Sequence, residues 1–357
     1  MKSSSEPAGL PSRSSDQQAR RGGKRSWTGG SSRLADVLTL LVGLIVALAA
    51  GEAATRLAGR VLHRIPIVAS HPMMGWTGRS NLHRAAKTYS GGTFRMSTDS
   101  LGHRLSYPSE QSPADDSPVI LLAGDSFVQG VGVEDEATVG RQLANTLRGH
   151  HVINLGIAGY GSDQELLSIE DYFRTGSNSV SDIVVVVYEN DFRDVQKSFD
   201  FALARSKPVF RVSGQQLERG SYALSLLDRL MDHSHLVWLV RSKITYRFRP
   251  PEVRPESGVD VVVACLEEIR RVGRAHHARV QVVAHRQLGP PYGHASEMSD
   301  ELWREFIQKS GALDMTESIR AGPGPAPIGF DGLHWSVEGT RRAADAIRGA
   351  LSPVPPR

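Results

Sequence analysis

Two short stretches of this 357-residue chain, Val119-Ile-Leu-Leu-Ala123 and Ile183-Val-Val-Val-Val-Tyr188, carry almost nothing that prefers water. A strand apolar on both faces must be covered on both, which is the condition of a parallel sheet flanked by helices. Helical and strand-like patterns alternate around these runs. Helices are expected over 139–147, 162–174, 258–276, 299–310 and 336–351, and further strands over 151–155, 279–284 and 312–314. Such strand-helix repetition predicts an α/β domain over residues 118–352. Residues 197–257 break the rhythm. Lys207-Pro-Val-Phe-Arg-Val-Ser-Gly214 reads as a hairpin, Ala223 to Arg241 as helical, and Pro250 to Pro255 as a turn-rich exit, so this segment is expected to be an insertion.

Composition excludes several alternatives. Hydrophobic residues make up 40% and charged residues 22% of the chain, with no collagen, heptad or solenoid period. A single cysteine, Cys265, permits neither an internal disulfide nor a thiolate-rich zinc cluster. The formal net charge of +4 is a property of the first residues. Residues 1–33 hold Lys2, Arg13, Arg20, Arg21, Lys24, Arg25 and Arg33 against Glu6 and Asp16, an excess larger than that of the whole chain. The remainder is slightly acidic and lacks the positive balance that phosphate-backbone binding uses, so no nucleic-acid partner is expected.

The tail 1–33, rich in Ser, Gly, Gln and Arg, cannot bury enough apolar surface to offset ordering and is expected to be disordered. Residues 34–55 follow as an apolar segment, free of charge from Val37 to Gly51. Its length reaches the lower limit of about 17 residues for a membrane span. A cleaved signal peptide ending near Ala47-Leu48-Ala49 and a buried helix of a soluble protein compete with the anchor; the long leader favours the anchor. Seven basic residues before the segment, against Arg56, Arg60 and Arg64 after it, orient the N-terminus to the cytoplasm and the bulk of the chain outside it. Residues 56–117 read as a juxtamembrane connector with a short hairpin near Thr93 to Met96.

Reactive groups of open parallel sheets gather at the carboxyl ends of the strands. Gly124-Asp125-Ser126 follows the first apolar strand, so Ser126 stands where a helix begins. Gly159, in Asn154-Leu-Gly-Ile-Ala-Gly-Tyr-Gly161, follows the second strand, and a glycine there either lets a backbone N–H approach an oxyanion or merely allows positive φ. Asn190, in Tyr188-Glu-Asn-Asp191, can present an amide donor to the same oxygen. In Asp331-Gly-Leu-His334 the spacing lets Asp331 hold Nδ1–H of His334 and leaves Nε2 to take the Ser126 proton. Asp125 and Asp191 are expected to form local hydrogen bonds, and Glu189 to be a solvated loop residue. His276 and His277 fall at a helix end without a third ligand at suitable spacing, so no metal is expected.

The four motifs in this order resemble the blocks of the SGNH (GDSL-type) hydrolases over residues 119 to about 351. His71-Pro-Met-Met-Gly-Trp76 and Ser100-Leu-Gly-His-Arg104 are similar to leaders of membrane-anchored members. The resemblance implies a three-layer α/β/α sandwich with a flavodoxin-like parallel sheet, Ser126 as nucleophile, and a Ser126, His334 and Asp331 triad. It also implies an oxyanion hole from the N–H groups of Ser126 and Gly159 and the Asn190 amide. Where many members have Gly-His after the catalytic turn, this chain has Gly339-Thr340. The implied activity is cofactor-free ester hydrolysis, on an acylated carbohydrate or lipid. The alternatives are O-acyl transfer to an extracytoplasmic polysaccharide and a catalytically silent, membrane-tethered binding module. Phe199, Phe201, Phe210, Tyr222 and Trp238 of the insertion either stack on sugar rings or form a small core.

Overall fold

The computed structural model describes residues 29–62, 66–87, 92–108, 117–176, 179–214, 216–248, 258–322, 324–329 and 331–351. Most of the basic tail and the Pro-rich exit at 250–255 lie outside the described residues. Helix α1, Gly29–Val61, contains the apolar segment and runs past both ends of the expected 34–55. It is, among the described residues, the one helix long and apolar enough to cross a membrane, by length and composition alone.

The described residues divide after Ala50 into two compact units. In the second, the chain first makes two antiparallel pairs, β1 (Val68–His71) with β2 (Gly75–Gly78) and β3 (His83–Lys87) with β4 (Thr93–Ser97). The sheet proper starts with β5 (Val119–Ala123), which leads through α2 (Ser126–Gln129) and α3 (Val139–Thr146) to β6 (His151–Asn154). Helix α4 (Ser162–Thr175) precedes β7 (Val180–Tyr188), which ends at α5 (Asp191–Asp194). The insertion holds two small antiparallel pairs, β8 (Phe199–Asp200) with β9 (Arg205–Ser206) and β10 (Phe210–Ser213) with β11 (Gln216–Arg219). It continues into two helices where one was expected, α6 (Leu226–His233) and α7 (His235–Arg247), because Ser234 leaves helical geometry and caps the second. Then follow α8 (Val259–Ala275), β12 (Arg279–His285), α9 (Asp300–Ser310), β13 (Leu313–Asp314), α10 (Thr316–Arg320) and α11 (Val337–Leu351).

Strands β6, β5, β7, β12 and β13 lie in that order, every pair parallel, which is the doubly wound order of flavodoxin-like sheets. The alternation along the strands sorts the core into two layers. Val119, Leu121, Ala123, Ile183, Val185 and Val187 face α4, α8 and α9, where they meet Leu166, Ile169, Val262, Leu266, Ile269 and Phe306. Ile120, Leu122, Val184 and Val186 face the other way, against Val139 and Leu143 of α3 and Ala343, Ala344 and Ile347 of α11. The result is a three-layer α/β/α sandwich.

The segment expected to be a connector does more than tether. Trp76 and Met96 are fully buried, and the Tyr160 hydroxyl donates to the Trp76 carbonyl at 2.7 Å. Arg104, 1% exposed, donates from its guanidinium to the carbonyls of Gln129, Gly130, Val133 and Arg95 and pairs with Asp135 at 2.9 Å. Trp76, Met96 and Arg104, in the segment expected to be a connector, are therefore part of the packing around the sheet. The sequence concealed this because the partners of Trp76, and most of those of Arg104, lie far along the chain.

Candidate active site

The strand order puts a topological switch at β5, whose chain neighbours β6 and β7 lie on opposite sides of it. The carboxyl ends of these three strands carry Ser126, Gly159 and Asn190. A Cβ at Gly124 would lie 2.3 Å from Val128 Cγ2, so only glycine permits the tight passage from β5 into α2. Asp125 caps that helix, its Oδ1 accepting from Phe127 N at 2.9 Å. Its Oδ2 accepts from the Asn190 amide at 3.1 Å, which ties the end of β7 to the serine turn. An amide nitrogen has two donors, so one remains for another acceptor.

Gly159 adopts φ +79°, and a Cβ there would stand 3.1 Å from Asp200 Oδ2 and from Leu203 Cδ1. Its loop is clamped on both sides. Ala158 N donates to Gln129 Oε1 at 3.1 Å, and the Trp76 indole N–H donates to the Ala158 carbonyl at 3.1 Å. Among the described residues, neither the Ser126 N–H nor the Gly159 N–H donates to a protein acceptor. Both are available to a bound oxygen.

His334 arrives from the loop before α11. Its Nδ1 stands 2.7 Å from Asp331 Oδ2 and its Nε2 2.9 Å from Ser126 Oγ. With a carboxylate at Nδ1, that nitrogen carries the proton and Nε2 is left to accept from the serine hydroxyl. Asp331 Oδ1 accepts from the backbone N–H groups of Leu333 and His334, both at 3.0 Å, so one carboxylate shapes the turn and orients the ring. The Tyr188 hydroxyl donates to Gln287, whose amide donates to the Gly332 carbonyl at 3.1 Å, fixing the loop from the sheet side. Phe127 packs between His334, His285, Tyr188 and Trp335, with ring centroids 4.4–5.3 Å away.

Burial by itself would raise the Asp331 carboxyl, but the His334 ring, by hydrogen bond and by charge, holds it below the ordinary carboxylate range. Burial pushes Asp125 up to about 6, against the Phe127 N–H bond and the nearby His334. Glu165 and Asp191, both fully buried, are also raised by burial and by neighbouring carboxylates. The buried His285 is pushed down to about 3 and stays neutral among its aromatic neighbours.

Other expected residues divide. Asp191 accepts from Ser162 Oγ at 2.9 Å, a fully buried bond across 29 positions and so not the local one expected. Glu189 is not a solvated loop residue. It is buried, accepting from Ser296 Oγ and Glu297 N, because the loop after β12 folds over it. His276 ends α8 and stacks on Phe173 at 3.9 Å. Among the described residues no group of three or more His, Cys, Asp or Glu side chains could hold a metal ion. Phe199 and Phe201 pack edge to face at 4.9 Å, with Arg241 over Phe199, and Phe210 joins the main core. Sequence reasoning missed the clamp residues Gln129 and Gln287, whose partners lie 29 and 45 positions away. Trp76 and Arg104 stood within the motifs of the leader, but nothing local announced what they hold.

No protein-family profile matches the chain, and no curated protein does. Solved structures similar to it include TesA, at 14% identity and TM-score 0.38 over 66% of this chain and 98% of that one. The esterase EstA from Pseudoalteromonas is similar at 14% identity and TM-score 0.35, over 66% and 96% of the two chains. A member of the lipolytic G-D-S-L family from Veillonella parvula is similar at 11% identity and TM-score 0.35, over 66% and 99%.

Proposed function

We propose that the chain is a serine-dependent ester hydrolase of the SGNH (GDSL) type, anchored by α1 with its catalytic domain outside the cytoplasm. The observation that carries this reading is the continuous relay from Ser126 Oγ through the His334 ring to Asp331, with contacts of 2.9 and 2.7 Å, at the carboxyl end of the sheet. The apolar length of α1 and the basic residues before it support the anchor and its orientation.

In the proposed reaction Ser126 Oγ bonds to the ester carbonyl carbon while its proton passes to His334 Nε2. The carbonyl oxygen becomes an oxyanion that accepts from the N–H groups of Ser126 and Gly159 and the spare amide donor of Asn190, which stabilise the charge as it develops. Collapse breaks the bond to the alcohol oxygen, which takes the proton from His334 and leaves an acyl-serine. Water then repeats the sequence with His334 as base, and the carboxylic acid departs. Asp331 keeps the imidazole in the tautomer that accepts at Nε2 and stabilises its charged form. The test is p-nitrophenyl acetate turnover by the full chain in detergent beside Ser126→Ala and His334→Ala. Turnover lost in both variants is expected, and turnover that survives Ser126→Ala overturns the reading.

A further inference from the structure

Helix α7 has no buried residue over its thirteen positions. It leaves Leu239, Val240, Ile244 and, just beyond its end, Phe248 exposed, while Leu226, Leu227 and Leu230 are exposed on α6 beside it. Helices in water are held by packing an apolar face, so a pair with this much uncovered apolar surface is built for a cover other than water. Among the described residues the exposed, unpaired charge on this surface is basic. Asp228 is paired with Arg241 and Asp232 with Arg205, each at 2.7 Å, which leaves Arg229, Lys243 and Arg247 exposed among the apolar residues. Apolar side chains interleaved with exposed basic ones fit the boundary between anionic headgroups and acyl chains.

The pair is also fixed to the foot of α1. The charge-free stretch of α1 ends at Gly51, and the next residue, Glu52, caps α7. Its carboxylate accepts from Ser234 Oγ at 2.7 Å and from the N–H groups of His235 and Leu236, each at 3.0 Å. One turn further on, Arg56 donates to the His233 carbonyl at 2.5 Å. Where the chain leaves the apolar stretch, the α6–α7 junction begins.

We infer that α6 and α7 form a membrane-interface platform, lying against an anionic lipid surface beside the foot of α1. The inference rests on the reading of α1 as an anchor. From the platform the structure leads back to the site. Arg241 of α7 covers Phe199, and Asp200 and Leu203 of the same segment stand against Gly159. The surface that meets lipid is thus two contacts from the oxyanion-hole loop.

The test uses the full chain in vesicles of phosphatidylcholine with phosphatidylglycerol, labelled with an environment-sensitive fluorophore at Leu239→Cys or Ile244→Cys. Native Cys265 is fully buried and does not compete for label. Leu44→Cys in α1 reports the anchor, and Arg271→Cys on the exposed side of α8 reports the bulk phase. Lipids carry a nitroxide quencher either near the headgroup or near the chain end. The platform predicts that labels at 239 and 244 lose more than half of their emission to the shallow quencher and much less to the deep one, with no change at 271. Labels at 239 and 244 that resist both quenchers while the label at 44 is quenched would overturn the platform and leave the anchor standing, with a second copy or another protein as the cover. A label at 44 that also resists would overturn the anchor itself.

Discussion

Asp331 does two tasks with one carboxylate, accepting Nδ1–H of His334 on one oxygen and two backbone N–H groups on the other. Asp331→Asn keeps an acceptor for the turn but offers the ring the wrong partner or the wrong tautomer. A loss of about 10³–10⁴-fold in kcat is expected with the fold intact, measured on p-nitrophenyl acetate beside a circular dichroism spectrum. Asp125 gives a pH prediction. Its carboxyl in the fold, near 6, lies above its ordinary value of 3.8, so the native state binds this proton more tightly than the unfolded chain does. The stabilisation is complete below about 4 and is lost as pH rises through about 6. His285, held near 3, works in the opposite direction by losing stability as pH falls below its ordinary value of 6.5. The difference between wild type and Asp125→Asn isolates the carboxyl: the variant's thermal midpoint should gain on wild type between pH 4 and 7, and a constant difference across that range would refute the assignment. The Asp-x-x-His motif was legible because its contacts are local. The Asp125 to Asn190 bond was not, because it joins the ends of two strands through the sheet.

At the scale of elements, the serine turn is set by what holds α2. Four residues cannot make a stable helix alone. Asp125 caps α2 at its start, and at its end Arg104 collects the carbonyls of Gln129 and Gly130. Lysine at 104 retains the charge but cannot span four carbonyls and a carboxylate with one ammonium. Arg104→Lys is expected to cost on the order of 3 kcal/mol, read from urea unfolding in detergent, with a fall in kcat that Arg104→Ala deepens. Stability equal to wild type would mean that the leader does not support the serine turn. The main-sheet strands and the long helices were readable from apolar runs and helical spacing. The leader's hairpins were only partly so, since Trp76 and Arg104 take their meaning from Ala158 and Gln129, far along the chain.

For the whole molecule, the parallel order of five strands explains why residues more than two hundred positions apart meet. It brings the turns after β5, β6 and β7 to one edge, and the covering helix α11 brings the loop with Asp331 and His334 over that edge. The basic tail, the apolar helix and the near-neutral domain are separate features of one chain, and only the last carries the proposed chemistry. The most direct test is covalent capture of the nucleophile: the full chain in detergent treated with a fluorophosphonate, digested, and mapped by mass spectrometry. The account predicts a single phosphonyl adduct on Ser126 that is absent in Ser126→Ala and strongly slowed in His334→Ala. A folded protein that forms no adduct, or forms it on another residue, would contradict it.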